Sequence, residues 1–196
     1  MKTFRTFGPT LGKGKLSKKI IKTINDHVDK TTLSKKNDYS SKLASQIKNE
    51  IKIPKTLVSK SLSKELIKNI KIYLDKSEVK KIKEIKIINL WVVRQLKNEY
   101  NPIHYHEGQL SGVGYLRIPK DMNQNKLVKN KKFKTNGTID FINGQTHFLS
   151  KSIYNLNPKL GDLLIFPNYL MHTAYPFNVD GERRSFSFNA KILFKK

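Results

Sequence analysis

The sequence predicts a mainly β fold, a barrel or jelly roll, preceded by N-terminal helices. Three observations carry this. Over the first 80 residues apolar side chains recur at three- and four-residue spacing, the period of a helix. From residue 85 the period changes, and β-branched and aromatic residues gather in short runs. Those runs then recur at regular intervals, punctuated by Gly, Asn and Pro, as in a barrel or jelly roll.

Residues 16–30 (LSKKIIKTINDHVDK) place Leu16, Ile20, Ile21, Ile24 and Val28 on one helical face, with Ser17 as N-cap. Residues 31–41 are polar and read as a loop. Residues 45–53 are expected to form a short helix that ends ahead of Pro54, because the residue before proline avoids the helical region. Residues 61–74 form a second amphipathic helix with Leu62, Leu66, Ile67, Ile70 and Tyr73 on one side. Strands are predicted at 85–96, 111–118, 138–142, 147–149, 152–155, 162–166, 172–175 and 183–190. The Lys- and Asn-rich stretch 120–136 is expected to be a mobile excursion between strands. The chain thus divides into a helical extension, residues 1–80, packing on a barrel core, residues 81–196. No internal repeat is present.

At 196 residues and 37% hydrophobic, the chain can bury one core. Its apolar runs fall far short of the roughly 18 residues a membrane helix needs. Residues 1–14 hold no apolar stretch of the signal-peptide kind, so a cytoplasmic, non-membrane protein is expected. Cysteine is absent, which excludes disulfides, thiolate nucleophiles and zinc–thiolate sites; a metal would have to use His, Asp or Glu. The formal net charge is +24, from 39 basic residues of which only 5 are Arg. Phosphate and base readers favour the bidentate Arg fork. The Lys, Asn and Ile enrichment fits an AT-rich coding sequence better than dedicated nucleic-acid binding. An acidic macromolecular partner such as RNA or a ribosome stays open.

Three of the five histidines stand out. His27 lies on the first helix and His147 has no evident partner. His104 and His106 form an H-x-H pair, and in an extended segment residues i and i+2 point to one side, so both imidazoles can converge on a metal. His172 follows the segment GDLLIFP in a later strand. Three neutral ligands leave open positions on an octahedral metal, where a bidentate acid and dioxygen can bind. Downstream, Arg183 and Ser185 share a strand face and can clamp a carboxylate, whereas Arg184 alternates to the other face and is expected to meet solvent. Tyr115 is a candidate hydroxyl donor to the same ligand, with core packing as its competing role. Trp91, Phe141, Phe166 and Phe186 read as core, and Pro167 as shaping the turn before His172.

Residues 91–189 resemble a 2-oxoglutarate/iron(II) oxygenase family. The resemblance lies in Trp91, the His104–His106 pair, LSGVGYLRIP (110–119), GTIDF (137–141), NPKLGDLLIFPNYLMH (157–172) and GERRSFSFNA (181–190), in the family's order over about half the chain. It implies a double-stranded β-helix similar to that of prolyl 4-hydroxylases. It also implies Fe(II) and 2-oxoglutarate as cofactors, dioxygen as co-substrate and hydroxylation of a protein side chain or small molecule as the outcome. His104 and His172 would be iron ligands, with His106 in the place of the usual carboxylate. Arg183, with Ser185 beside it, would carry the distal carboxylate of 2-oxoglutarate.

A shifted register, His106-Glu107-Gly108, resembles the H-x-G pattern of halogenases. Two rival classes are weighed. A cupin-type metal barrel shares the H-x-H but lacks the Glu expected where Leu110 and Ser111 stand, and has no use for Arg183 and Ser185. A basic nucleic-acid-binding protein with a decayed barrel predicts no metal and steeply salt-dependent binding.

Overall fold

A computed structural model describes residues 8–31, 34, 36–54, 57–122 and 135–195, of 57–59 the backbone only. Most of the excursion expected at 120–136, and residues 1–7 of the N-terminal segment, lie outside the described residues. In chain order the elements are β1 (Gly12–Lys15), α1 (Lys18–Asp29), a 3-10 turn (Ser40–Lys42), β2 (Glu50–Lys52), α2 (Leu57–Lys76), β3 (Ile82–Gln95), β4 (Asn101–His104), β5 (Leu110–Arg117), β6 (Ile139–Ile142), β7 (Ile153–Leu156), β8 (Asp162–Pro167), β9 (Met171–Ala174) and β10 (Arg183–Phe194).

Two antiparallel sheets face each other. The larger runs β1-β8-β5-β10-β3-β2 and the smaller β4-β9-β6-β7. From β3 onward the chain passes back and forth between them, leaving four core strands in each. This is the double-stranded β-helix. Its long hairpin-like ladder, β3 against β10, pairs Ile82 to Gln95 with Phe194 to Arg183.

The outer face of the larger sheet is covered by the two helices. Ser17 caps α1 by accepting from the Ile20 N–H at 3.3 Å. Ile20, Ile24 and Val28 of α1, and Leu62, Leu66, Ile70 and Tyr73 of α2, are buried at the spacing read from the sequence. They pack on Phe186, Phe188, Ala190 and Ile192 of β10. Gly112 and Gly114 of β5 lie opposite Phe188 and Phe186 in the ladder. A Cβ on Gly112 would stand 2.5 Å from both the Leu164 carbonyl oxygen and the Phe188 ring. Glycine here marks close approach rather than a turn. Gly112→Ala is therefore expected to cost about 1–3 kcal/mol, the range for overpacking a filled core, read as a lower denaturant midpoint.

The first 80 residues are not purely helical, which corrects the expectation for 45–53. Glu50–Lys52 is strand β2, paired with Val93, Val92 and Trp91 of β3. The open edge of β3 supplies the hydrogen bonds, and pairing overrides a weak local preference. At the opposite edge, β1 (GKGK) carries no apolar signal at all. It is held by backbone pairing to β8 and by Lys13 and Lys15, 3.0 and 2.5 Å from the buried Asp162 carboxylate. Residues 147–149 do not form the predicted strand; His147 and Ser150 make one isolated bridge across a turn, with Leu149 at φ +62°. Three residues with Phe148 and Leu149 exposed offer no face to bury.

Arg184 is a second correction. Alternation does turn it away from the barrel interior, but α1 covers that face and the residue is 0% exposed. Its guanidinium donates to Glu182 at 2.7 and 3.0 Å, to Asp29 at 2.6 Å and to the Asn25 Oδ1 at 3.1 Å. Glu182 also receives Arg94 at 2.9 Å. Removing one member of a buried ion-pair network strands the others. Arg184→Met should cost about 2–3 kcal/mol and lower the melting temperature by roughly 4–12 °C, with ligand binding inside the barrel unaltered.

Candidate metal centre

His104 and His172 are brought together by the register of the smaller sheet, where they are directly opposed on β4 and β9. Each has its Nδ1 against a backbone carbonyl two residues earlier, Pro102 O at 2.8 Å and Leu170 O at 2.9 Å. A nitrogen facing a carbonyl must carry the hydrogen, so each Nδ1 donates and each Nε2 keeps its lone pair. Leu170 is placed by a turn in which its N–H donates to Pro167 O at 3.1 Å, as the proline's position suggested.

His106 lies beyond the end of β4. Its N–H donates to Asn168 O at 3.0 Å, and its carbonyl accepts from the Asn168 Nδ2 at 3.0 Å. The chain then turns back into β5 through Gly108 at φ +93°, where a Cβ would sit 2.8 Å from Ala190 O. His106 Nε2 and His172 Nε2 are 3.2 Å apart. One ring nitrogen from each of the three histidines falls within 4.8 Å of the others.

Burial lowers all three pKa values. His106 and His172 are pushed down to about 3, with neighbouring imidazoles adding to the effect of burial. In His104 burial is partly opposed by the bond to Pro102. All three are neutral near pH 7 and available as ligands. Metal–imidazole bonds of about 2.1 Å set at right angles put their nitrogens roughly 3 Å apart, which the 3.2 Å pair matches. The donor set fits a divalent metal. Phe166 (4.9 Å) and Phe141 (5.8 Å) flank His172, and Trp91 lies 6.0 Å from His106. These aromatics therefore combine core packing with shielding of the triad, while Phe186 belongs to the helix-covered core.

A cavity of about 530 Å³ opens between the sheets, lined by the triad and by Tyr115, Arg183 and Ser185. Arg183 is 4% exposed. Its Nη1 donates to Gly137 O at 2.6 Å and its Nη2 to the Gln95 Oε1. Gln95 is turned by its own amide, which donates to Glu99 O at 2.5 Å and Tyr175 O at 3.3 Å. Among the described residues no ion pair includes Arg183, and burial lowers its pKa from the ordinary value. It is a buried cation held by neutral oxygens. Tyr115 is packed in the barrel core and also lines the cavity.

Glu107 lines the cavity outside the metal-capable group, and His104, which the His106-Glu107-Gly108 register leaves out, is one of that group's three members and faces His172. His27 and His147 stand outside it. Sequence reasoning missed Gln95, which orients Arg183, and Asn101, whose Nδ2 is 3.5 Å from His104 Nε2. It also missed Glu50, a cavity residue within the segment read as helix. Asn101 sits three residues before the H-x-H, a spacing that by itself carries no signal.

A double-stranded β-helix with three inward imidazoles defines a metal-binding barrel. The profile of the family described as "Putative 2OG-Fe(II) oxygenase" matches residues 89–189, just over half the chain. No curated protein matches in sequence. Among solved structures, a prolyl-4-hydroxylase from Pseudomonas putida is similar, with 10% identity, a TM-score of 0.56 and coverage of 97% of this chain and 95% of that one. The viral collagen prolyl hydroxylase from Paramecium Bursaria Chlorella virus-1 has 16% identity, a TM-score of 0.58 and coverage of 92% and 94%. HygX from Streptomyces hygroscopicus, with nickel and 2-oxoglutarate bound, has 10% identity, a TM-score of 0.60 and coverage of 95% and 83%. At these identities the structures show the fold alone.

The chain belongs to the 2OG-Fe(II) oxygenase family. It is an oxygenase whose cofactors are Fe(II) and 2-oxoglutarate and whose co-substrate is dioxygen, a finding that disfavours the cupin-type and nucleic-acid-binding alternatives. Among the described residues no helix is long and apolar enough to cross a membrane.

Proposed function

We propose that His104, His106 and His172 hold the Fe(II), that Arg183 and Ser185 receive the distal carboxylate of 2-oxoglutarate, and that the enzyme hydroxylates a protein side chain or a small molecule. The observation that carries this reading is the buried guanidinium of Arg183 on the cavity wall, which no carboxylate among the described residues pairs. A guanidinium buried without a counter-charge is costly unless a ligand supplies one, and a carboxylate matches its fork bidentately. Ser185, two residues on and facing the cavity, adds a hydroxyl donor.

When bound, Fe(II) with 2-oxoglutarate as electron donor supplies the activation of dioxygen and the delivery of one oxygen atom to the substrate. The chain's own residues position and shield. The Pro102 and Leu170 carbonyls keep two imidazoles in the ligating tautomer. Gln95 aims Arg183. Phe141, Phe166 and Trp91 keep water from the triad. The triad is neutral throughout, so the metal would keep one more positive charge than with the usual carboxylate, which favours anionic co-ligands such as 2-oxoglutarate.

In the division into an N-terminal extension, 1–80, and a barrel core, 81–196, the extension contributes α1 and α2 over the outer sheet face and Tyr39, Leu43, Ile47 and Glu50 on the cavity wall. A cytoplasmic location is part of the reading. The charge of +24, which an AT-rich coding sequence accounts for better, is compatible with an acidic macromolecule such as RNA or the ribosome as a partner. Anaerobic addition of 2-oxoglutarate to the Fe(II)-loaded protein should give a metal-to-ligand charge-transfer band in the visible. Stoichiometric iron without that band would overturn the assignment.

A further inference from the structure

Glu50 is a buried titratable group that the proposed chemistry leaves unused. It sits on β2 at the edge of the larger sheet, directly opposite Val93, which opposes Ser185, which opposes Tyr115. The four form one cross-sheet row facing the cavity. With strands about 4.8 Å apart, Glu50 stands roughly 10 Å from Ser185, too far to share the carboxylate clamp. The residue is 1% exposed. Its Oε2 accepts from the Ser45 hydroxyl at 2.6 Å, but among the described residues its buried Oε1 has no hydrogen-bond partner.

An unmatched buried carboxylate oxygen calls for a donor. Burial lifts the Glu50 carboxyl to about 7, against the Ser45 bond, and the charges that act on it, Asp38 and Glu99, are both acidic. Among the described residues no ion pair includes Glu50. The adjoining wall is aromatic: Tyr39 and Trp91 lie 5.5 Å apart, and the Tyr39 N–H donates to Glu50 O at 2.8 Å. Ring faces attract cations, and the Tyr39 ring already carries one, with Lys42 Nζ 5.8 Å from its centroid. Trp91 continues this wall to His106.

We infer that Glu50 is the specificity-determining residue for the primary substrate, which presents a basic nitrogen, an ammonium or guanidinium, to its Oε1 against the Tyr39–Trp91 wall. The inference rests on the placement of metal and 2-oxoglutarate proposed above. A neutral amide or hydroxyl donor would also fill the hydrogen bond, but it would leave the acidic surroundings uncompensated.

The test uses the full chain loaded anaerobically with Fe(II) and 2-oxoglutarate. The charge-transfer band comes first; its absence in the wild type counts against the site assignment and not against Glu50. On protein that shows the band, N-acetyl-lysine amide, N-acetyl-arginine amide and N-acetyl-norleucine amide are titrated by calorimetry. At least one basic probe is expected to bind at least about tenfold more tightly than the norleucine analogue, as a charge-assisted bond would give. Glu50→Gln should erase that preference. Equal binding of norleucine amide, no binding of either basic probe, or a preference that survives in Glu50→Gln would each overturn the inference. The wild-type comparison stands even if the variant does not fold.

Discussion

His172→Ala is expected to abolish Fe(II) binding and, with it, all 2-oxoglutarate turnover. His172 is the hub of the triad. It opposes His104 in the ladder with ring centroids 4.2 Å apart, and its Nε2 is 3.2 Å from that of His106. Loss of an outer-sphere partner alone typically lowers metal affinity 10–100-fold, so loss of this ligand should exceed about 100-fold. The measurement is iron content after anaerobic loading and desalting. A second readout is thermal. Saturating metal stabilises a folded protein by about 2.7 kcal/mol at a hundredfold excess over its dissociation constant, so the wild type should melt higher with Fe(II) than without it. The variant should show no such shift. Because His172 is only 9% exposed among Phe141 and Phe166, the alanine leaves a cavity, and the metal-free melting temperature of the variant must be the reference. Undiminished iron binding by His172→Ala would remove the triad from the site.

Arg183→Met should leave iron content intact and weaken 2-oxoglutarate by about 100-fold or more, since each hydrogen bond to a charged group contributes about 1.5–3 kcal/mol and the fork offers two. The folding cost should be small because two effects oppose each other. Gln95 Oε1 and Gly137 O lose their donor, but an uncompensated buried charge disappears. Titration of the charge-transfer band reads the affinity directly. Arg183→Lys keeps the charge without the planar fork and should fall between the wild type and the methionine variant. The neighbouring Arg184→Met is the control with the opposite signature, lost stability with retained 2-oxoglutarate binding. A methionine at 183 that binds 2-oxoglutarate like the wild type would sink the clamp.

These neighbouring arginines show how far the residues alone can be read. Strand alternation by itself sorts them onto opposite faces, because the period of 2 is a property of the extended backbone. It does not reveal that α1 lies over the second face, and so Arg184 is sealed between Glu182 and Asp29 instead of meeting water. The helices were legible from their apolar stripes and the Ser17 cap. Most core strands were legible from β-branched runs. Among the edge strands β7 was, but β1, β2 and β4 were not: β1 and β2 owe their conformation to the free backbone edges of β8 and β3, which no pattern in GKGK or EIK records, and β4 owes its conformation to pairing with β9.

The site divides in the same way. The identity of its chemistry was local. Absence of cysteine, the His104–His106 pair, the later His172 and the R-x-S of Arg183 and Ser185 are residue types and short spacings; they offer neutral nitrogen donors and a guanidinium fork, and their order along the chain carries the family resemblance. What the tertiary structure alone decided was company. The opposition of His104 and His172 across β4 and β9, the Gln95 amide behind Arg183, and Glu50 on the cavity wall all depend on strand register between segments far apart in sequence. Register is set by the summed pairing and burial of whole strands, so no single segment contains it.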